Sequence, residues 1–130
     1  MAGDTKIINR EKNNIKDIEK LPSLTKKLEN DPVIKTFKEK IVSELKDNFQ
    51  FAILFGSQAR EESNEKSDYD FLIIVNEKDR KLEEKIENIG VYFLDTYFTL
   101  ISCLIWRKED WEFNKFFPIG RNILREGRLL

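Results

Sequence analysis

The chain has 130 residues, 40% of them hydrophobic, with 23 basic against 24 acidic side chains and no histidine. That length fits one domain with its own core, and the near-neutral balance removes any bulk electrostatic drive toward nucleic acid or an anionic membrane. The absence of histidine excludes His-dependent triads, His-ligated zinc and imidazole acid-base chemistry together.

Cys103 is the single cysteine, so no intrachain disulfide can form. It lies inside an apolar run and reads as a small buried hydrophobe rather than a nucleophile. The N-terminus lacks an apolar signal core and no run is long enough to span a bilayer, which leads to the expectation of a cytoplasmic protein without a membrane partner.

In chain order, residues 1–30 form a polar, Lys-rich extension interrupted by Pro22. Ile15, Ile18 and Leu21, then Leu24 and Leu28, have helical spacing, so this extension is expected to be part disordered and part short helices. The folded domain is expected over 31–130. Asp31-Pro32 is a helix start, with Asp as N-cap and Pro in the first turn. Val33, Ile34, Phe37, Ile41, Val42 and Leu45 then mark one apolar face to about Asn48. Phe51 to Phe55 is a short buried strand, and Gly56-Ser57 ends it and opens a short helix. Glu61 to Lys66 has no apolar residue and reads as exposed loop.

Tyr69 to Val75 is a second buried strand. Glu77 to about Leu94 reads as a helix, weakened near its end by Gly90. Phe98 to Trp106 is a third apolar run, long enough for a central strand. Pro118 and Gly120 interrupt the amphipathic pattern that follows, and a last helix is expected over Arg121 to Glu126 with Gly127 as its C-cap. Five large aromatics, Trp106, Trp111, Phe113, Phe116 and Phe117, crowd one short region and suit either core or an interface with a second copy or another protein.

The chemistry concentrates between Phe51 and Val75. Alternate side chains of a strand share a face, so Asp68 and Asp70 sit about 7 Å apart along the backbone on one side. Two carboxylates so placed repel unless a cation lies between them. Oxygen-only ligation without His or Cys favours Mg2+ or Mn2+, and magnesium usually completes its shell with substrate phosphates and water. Gly56 and Ser57 offer a complementary anion cradle through backbone N–H groups and a hydroxyl, and Arg60 can add charge-assisted hydrogen bonds. A metal–triphosphate would be held between the two.

At these residues the chain resembles the polymerase β-like nucleotidyltransferase superfamily, in particular its minimal members. Gly56-Ser57-Gln58-Ala59-Arg60 and Ser67-Asp68-Tyr69-Asp70 carry the resemblance, and the tail from Pro118 through Glu126-Gly127 looks like the end of many minimal members. The resemblance implies an α/β (α+β) fold, a small mixed sheet with flanking helices. It implies transfer of a nucleoside monophosphate from a nucleoside triphosphate, ATP foremost, to a hydroxyl. Gly56, Ser57, Arg60 and Ser67 would bind the nucleotide, and Asp68 and Asp70 would hold the metal and serve catalysis. It also implies a helical HEPN-type toxin as partner, which small members bind or modify with AMP.

One departure from the family pattern bears on activity. Fully active members carry a third carboxylate on the next strand, where Thr99 to Trp106 has no acid and Ser102 falls at about that position. Serine does not replace a carboxylate as metal ligand and base. Asp95 is the nearest acid, and it reaches the site only if the backbone curls back. Glu61 and Glu62 read as solvated surface. Two readings follow: a magnesium-dependent nucleotidyltransferase acting on a protein or small-molecule hydroxyl, or a catalytically weak antitoxin or partner subunit that keeps the phosphate cradle. Nucleic-acid polymerisation is disfavoured by the neutral charge and the lack of a template-holding domain.

Overall fold

The computed structural model describes residues 15–62 and 68–130. The first elements are α1 (Lys16–Glu19), α2 (Lys26–Glu29), α3 (Pro32–Leu45), β1 (Phe49–Phe55) and α4 (Gly56–Ala59). They are followed by β2 (Tyr69–Val75), α5 (Arg80–Tyr97), β3 (Ile101–Arg107), α6 (Lys108–Asn114), α7 (Pro118–Glu126) and β4 (Arg128–Leu129). The strands make one mixed sheet in the order β3-β2-β1-β4. β1 runs antiparallel to β2 and β4, and β2 runs parallel to β3 across the α5 crossover. This is the mixed sheet with flanking helices expected from the sequence.

Strand alternation divides the core in two. Tyr69, Phe71, Ile73 and Val75 of β2, with Ala52 and Leu54 of β1, meet the apolar faces of α3 and α5. Phe37 stacks on Phe71 with ring centroids 3.9 Å apart, and both are fully buried. Burying a side chain of this size is worth roughly 1.5–3 kcal/mol. The opposite parity, Leu72 and Ile74 with Ile53 of β1, packs against Ile15, Ile18, Leu21, Trp111 and Ile123. The two long helices, α3 and α5, start at side-chain caps: Asp31 Oδ1 accepts from Val33 N–H at 2.8 Å and Asp79 Oδ1 from Leu82 N–H at 2.8 Å.

Residues 15–30, polar in composition, pack into this same core. Ile18 is fully buried, and the Trp111 indole N–H donates to Asp17 at 3.1 Å. Leu129 N–H donates to the Pro22 carbonyl at 2.8 Å and Leu24 N–H to the Leu129 carbonyl at 3.2 Å, so residues 22–24 line the outer edge of β4.

Three sequence expectations are corrected. The third apolar run is an edge strand, not a central one, and it begins only at Ile101. The reason is that α5 runs through Gly90 to Tyr97, anchored by buried Phe93, and ends on Phe98 in the left-handed region at φ 54°. Pro118 does not interrupt a helix but begins α7, its missing N–H lying where no intrahelical partner exists. Gly127 caps α7 in an extended conformation rather than a left-handed one. It is needed for space, since a Cβ there would lie 2.5 Å from the Ile123 carbonyl oxygen. Of the five clustered aromatics, Trp111 is buried and Trp106 half-buried, while Phe113, Phe116 and Phe117 are exposed.

Two helical glycines should respond to alanine with opposite sign. A Cβ on Gly90 meets nothing within 4 Å, so Gly90→Ala is expected to stabilise by about 0.5–1 kcal/mol. A Cβ on Gly120 would collide with the Asn114 carbonyl oxygen and the Lys115 backbone, so Gly120→Ala is expected to cost about 1–3 kcal/mol. Urea unfolding of the two variants checks both.

Candidate functional site

The junction of β1 and β2 brings most of the expected residues together. Phe55, the last residue of β1, pairs with Asp70 near the start of β2. The chain then turns sharply at Gly56, whose φ of +79° suits glycine and strains other residues. A Cβ at Gly56 would lie 2.5 Å from Asp70 Oδ2. The Asp70 carboxylate therefore lies directly against the Gly56 backbone, a closeness that only a residue without a side chain allows.

Ser57 follows in α4, half-buried, while Gln58 and Ala59 turn inward. Arg60 caps the turn and is exposed. Asp68, exposed, has the parity of Asp70 and so lies on its side of the chain. Ser67 and residues 63–66 of the expected loop lie outside the described residues. Glu61 and Glu62 are exposed, Glu61 accepting from the Thr25 hydroxyl at 2.9 Å and Glu62 pairing with Arg60 Nε at 3.0 Å.

An acid that sequence reasoning did not single out completes the cluster. Glu126, at the end of α7, accepts from Gly56 N–H at 3.0 Å through Oε1 and from Arg60 Nη1 at 2.6 Å through Oε2. Its side chain is 14% exposed. Glu126-Gly127 stood out only as part of the tail's resemblance; no local spacing links it to a turn 70 residues earlier.

Electrostatics agree with this crowding. Desolvation first, then the charges of Asp68 and Glu126, push the Asp70 carboxyl above the usual carboxylate range, with Arg60 opposing. Two hard oxygen donors whose charges resist each other are the chemistry a divalent cation relieves. Among the described residues no group of three His, Cys, Asp or Glu is arranged to hold a metal. The donor set therefore fits an ion held by two carboxylates and completed by oxygens from outside the protein.

β3 supplies no further acid. Ser102 is the residue in register with Asp70 on the neighbouring parallel strand and is exposed. Asp95 does not approach: it is an exposed residue of α5, which packs on the Phe71 face, whereas Asp70 has the parity of the opposite face. Burial pushes the Cys103 thiol up to about 12, which suits a packing role.

With this geometry in place, the likenesses to known proteins are informative. The family model for polymerase beta nucleotidyltransferases matches residues 39–130. A protein of Methanocaldococcus jannaschii named as a candidate protein adenylyltransferase is 43% identical over 77 residues, 58% of this chain and 78% of the relative. A crystal structure of a toxin–antitoxin with AMP-PNP aligns over 71% of this chain and 70% of that one, at 16% identity and a TM-score of 0.49. The chain belongs to the polymerase beta nucleotidyltransferase family.

Removing the Asp70 charge should stabilise the free protein. A carboxyl whose folded pKa is raised costs the native state free energy once ionised; that cost is full above the folded pKa and absent below the unfolded value, about 3.9. Asp70→Asn is expected to raise the metal-free melting temperature at pH 7, the gain fading as the pH falls toward 4. Scanning calorimetry across pH measures it.

Proposed function

We propose that this chain binds a magnesium–nucleoside triphosphate, ATP foremost, where β1 meets β2, and transfers a nucleoside monophosphate to a hydroxyl of a protein or small molecule. The observation that carries the reading is the Asp70 carboxylate lying 2.5 Å from where a Gly56 Cβ would be, with Asp68 of the same parity beside it. Family membership and the relative named as an adenylyltransferase support it.

In this reading Asp68 and Asp70 hold Mg2+ or Mn2+, which when bound neutralises the triphosphate and favours attack at its phosphorus. Gly56 leaves room for the Asp70 carboxylate while its N–H is held by Glu126, so the phosphate oxygens are left to the Ser57 hydroxyl and the Arg60 guanidinium. Ser67 would add a hydroxyl from the loop side. The buried strands β1 and β2 hold these groups, which limits the reorganisation needed during transfer.

A second reading has its own observation. Ser102 occupies the register position beside Asp70 where a third carboxylate would accept the acceptor's proton, and a hydroxyl is a far weaker base than a carboxylate. On that ground the chain is a nucleotide-binding partner subunit, an antitoxin to a helical HEPN-type toxin, with slow or absent turnover. The exposed Phe113, Phe116 and Phe117 supply apolar surface for such a partner or for a homodimer. Among the described residues no helix is long and apolar enough to cross a membrane; a cytoplasmic setting remains part of the proposal.

Incubation with labelled ATP, magnesium and the protein encoded beside it separates the readings. Label transfer that disappears in Asp70→Asn supports the enzyme, and a stable complex without transfer supports the partner subunit. Ser102→Asp restores a carboxylate beside Asp70 and is expected to raise transfer about 100-fold, the lower end of the range for a positioned base. An unchanged rate in that variant would remove Ser102 as the cause of weak turnover.

A further inference from the structure

The family resemblance gives roles to Gly56, Ser57, Arg60 and the two aspartates, but it includes Glu126 only as part of the tail and gives this third acid no role. An extra negative charge beside a triphosphate site raises the cost of ionising Asp70 and repels phosphate. Nor is Glu126 a solvated surface acid, since its side chain is 14% exposed. Its two oxygens are used separately: Oε1 takes the N–H of Gly56, the first residue of the turn, and Oε2 takes Nη1 of Arg60, which closes it.

We propose that Glu126 is a positioning residue for nucleotide binding, a brace from α7 that locks both ends of the Gly56–Arg60 turn and orients the Arg60 guanidinium toward the phosphates. This rests on the reading of the turn as a triphosphate cradle. Arg60 is otherwise a long side chain at an exposed position, and freezing its rotamers on binding would cost affinity. The planar fork lets one face serve Glu126 while other donors serve a ligand, and neither the Glu126 nor the Glu62 pair uses Nη2. The Glu62 pair is the weaker brace because it is open to solvent, with Glu62 67% exposed. Glu126 is held differently, by α7, whose Ile123 is fully buried against Ile53 of β1 and Leu72 of β2. The charge of Glu126 is thus the electrostatic cost of a preorganised Arg60.

Calorimetric titration of Mg·ATP into wild type, Glu126→Gln, Arg60→Ala and the double variant tests the brace. Glu126→Gln keeps an oxygen for Gly56 N–H and removes the charge that fixes Arg60. It is expected to bind about tenfold more weakly, the scale of one charge-assisted hydrogen bond. In the Arg60→Ala background the same change is expected to cost no affinity and to tighten binding slightly, since only the repulsion of phosphate is then removed, a coupling that general loosening of the fold would not produce. Arg60→Lys keeps the charge without the fork and is expected to bind about as weakly as Arg60→Ala, which covers the case of a Glu126 variant that does not fold.

Affinity in Glu126→Gln equal to or tighter than wild type, additive losses in the double variant, or full affinity in Arg60→Lys would each overturn the brace while leaving the cradle standing. Failure of the wild type to bind Mg·ATP overturns the cradle and the brace together.

Discussion

The pairing of Phe55 with Asp70 across β1 and β2 is the constraint on which the rest of the molecule turns. Side chains alternate along a strand, so a slip of one residue would carry Asp70 into the layer occupied by Phe37, Phe71 and Phe93 and bring Phe71 out beside Gly56. Neither exchange is tolerable, because one buries an uncompensated carboxylate and the other exposes a fully buried ring. The aromatic packing of one face thus holds the acids of the other in place. Antiparallel pairing also brings the end of β1 and the start of β2 to the same end of the sheet, whereas parallel neighbours would place them at opposite ends.

Negative charge in the site is in excess. Three carboxylates, Asp68, Asp70 and Glu126, share their neighbourhood with the Arg60 guanidinium, and their repulsion adds to desolvation, the larger cause, in raising the Asp70 pKa. Most of the fold spends its polar groups on ordinary tasks: Asp31 and Asp79 cap helices, and Asp17 receives the buried indole of Trp111. Like charge is gathered at this turn, where Gly56 at φ +79° lets the Asp70 carboxylate lie against its backbone, and the proposed cation would relieve the repulsion.

Much of this was readable in the residues. The bounds of β2, the Asp31-Pro32 helix start and the Gly-Ser to Asp-x-Asp spacing are local signals, and each lies where expected. The sheet position of β3 was not, because an apolar run of strand length looks alike at the edge and at the centre when a helix covers one face. Pro118 and Gly120 read as breakers when each satisfies a nearby steric need. The docking of residues 15–24 was hidden by their charged neighbours, since the apolar contacts come from Ile15, Ile18 and Leu21, with Leu24 packed partly buried against the other layer. Glu126 was hidden for a different reason: its meaning lies in a hydrogen bond to Gly56 across 70 residues, and no periodicity encodes a contact of that range.

That range also orders events during biosynthesis. β1 and β2 lie within residues 49–75 and are made well before α7 and β4, which come last. A nascent chain therefore owns these two strands and both aspartates before it owns the carboxylate that holds Arg60. Under the proposed brace, a chain stalled before residue 126 would carry a shaped but slack turn, which the last helix draws tight.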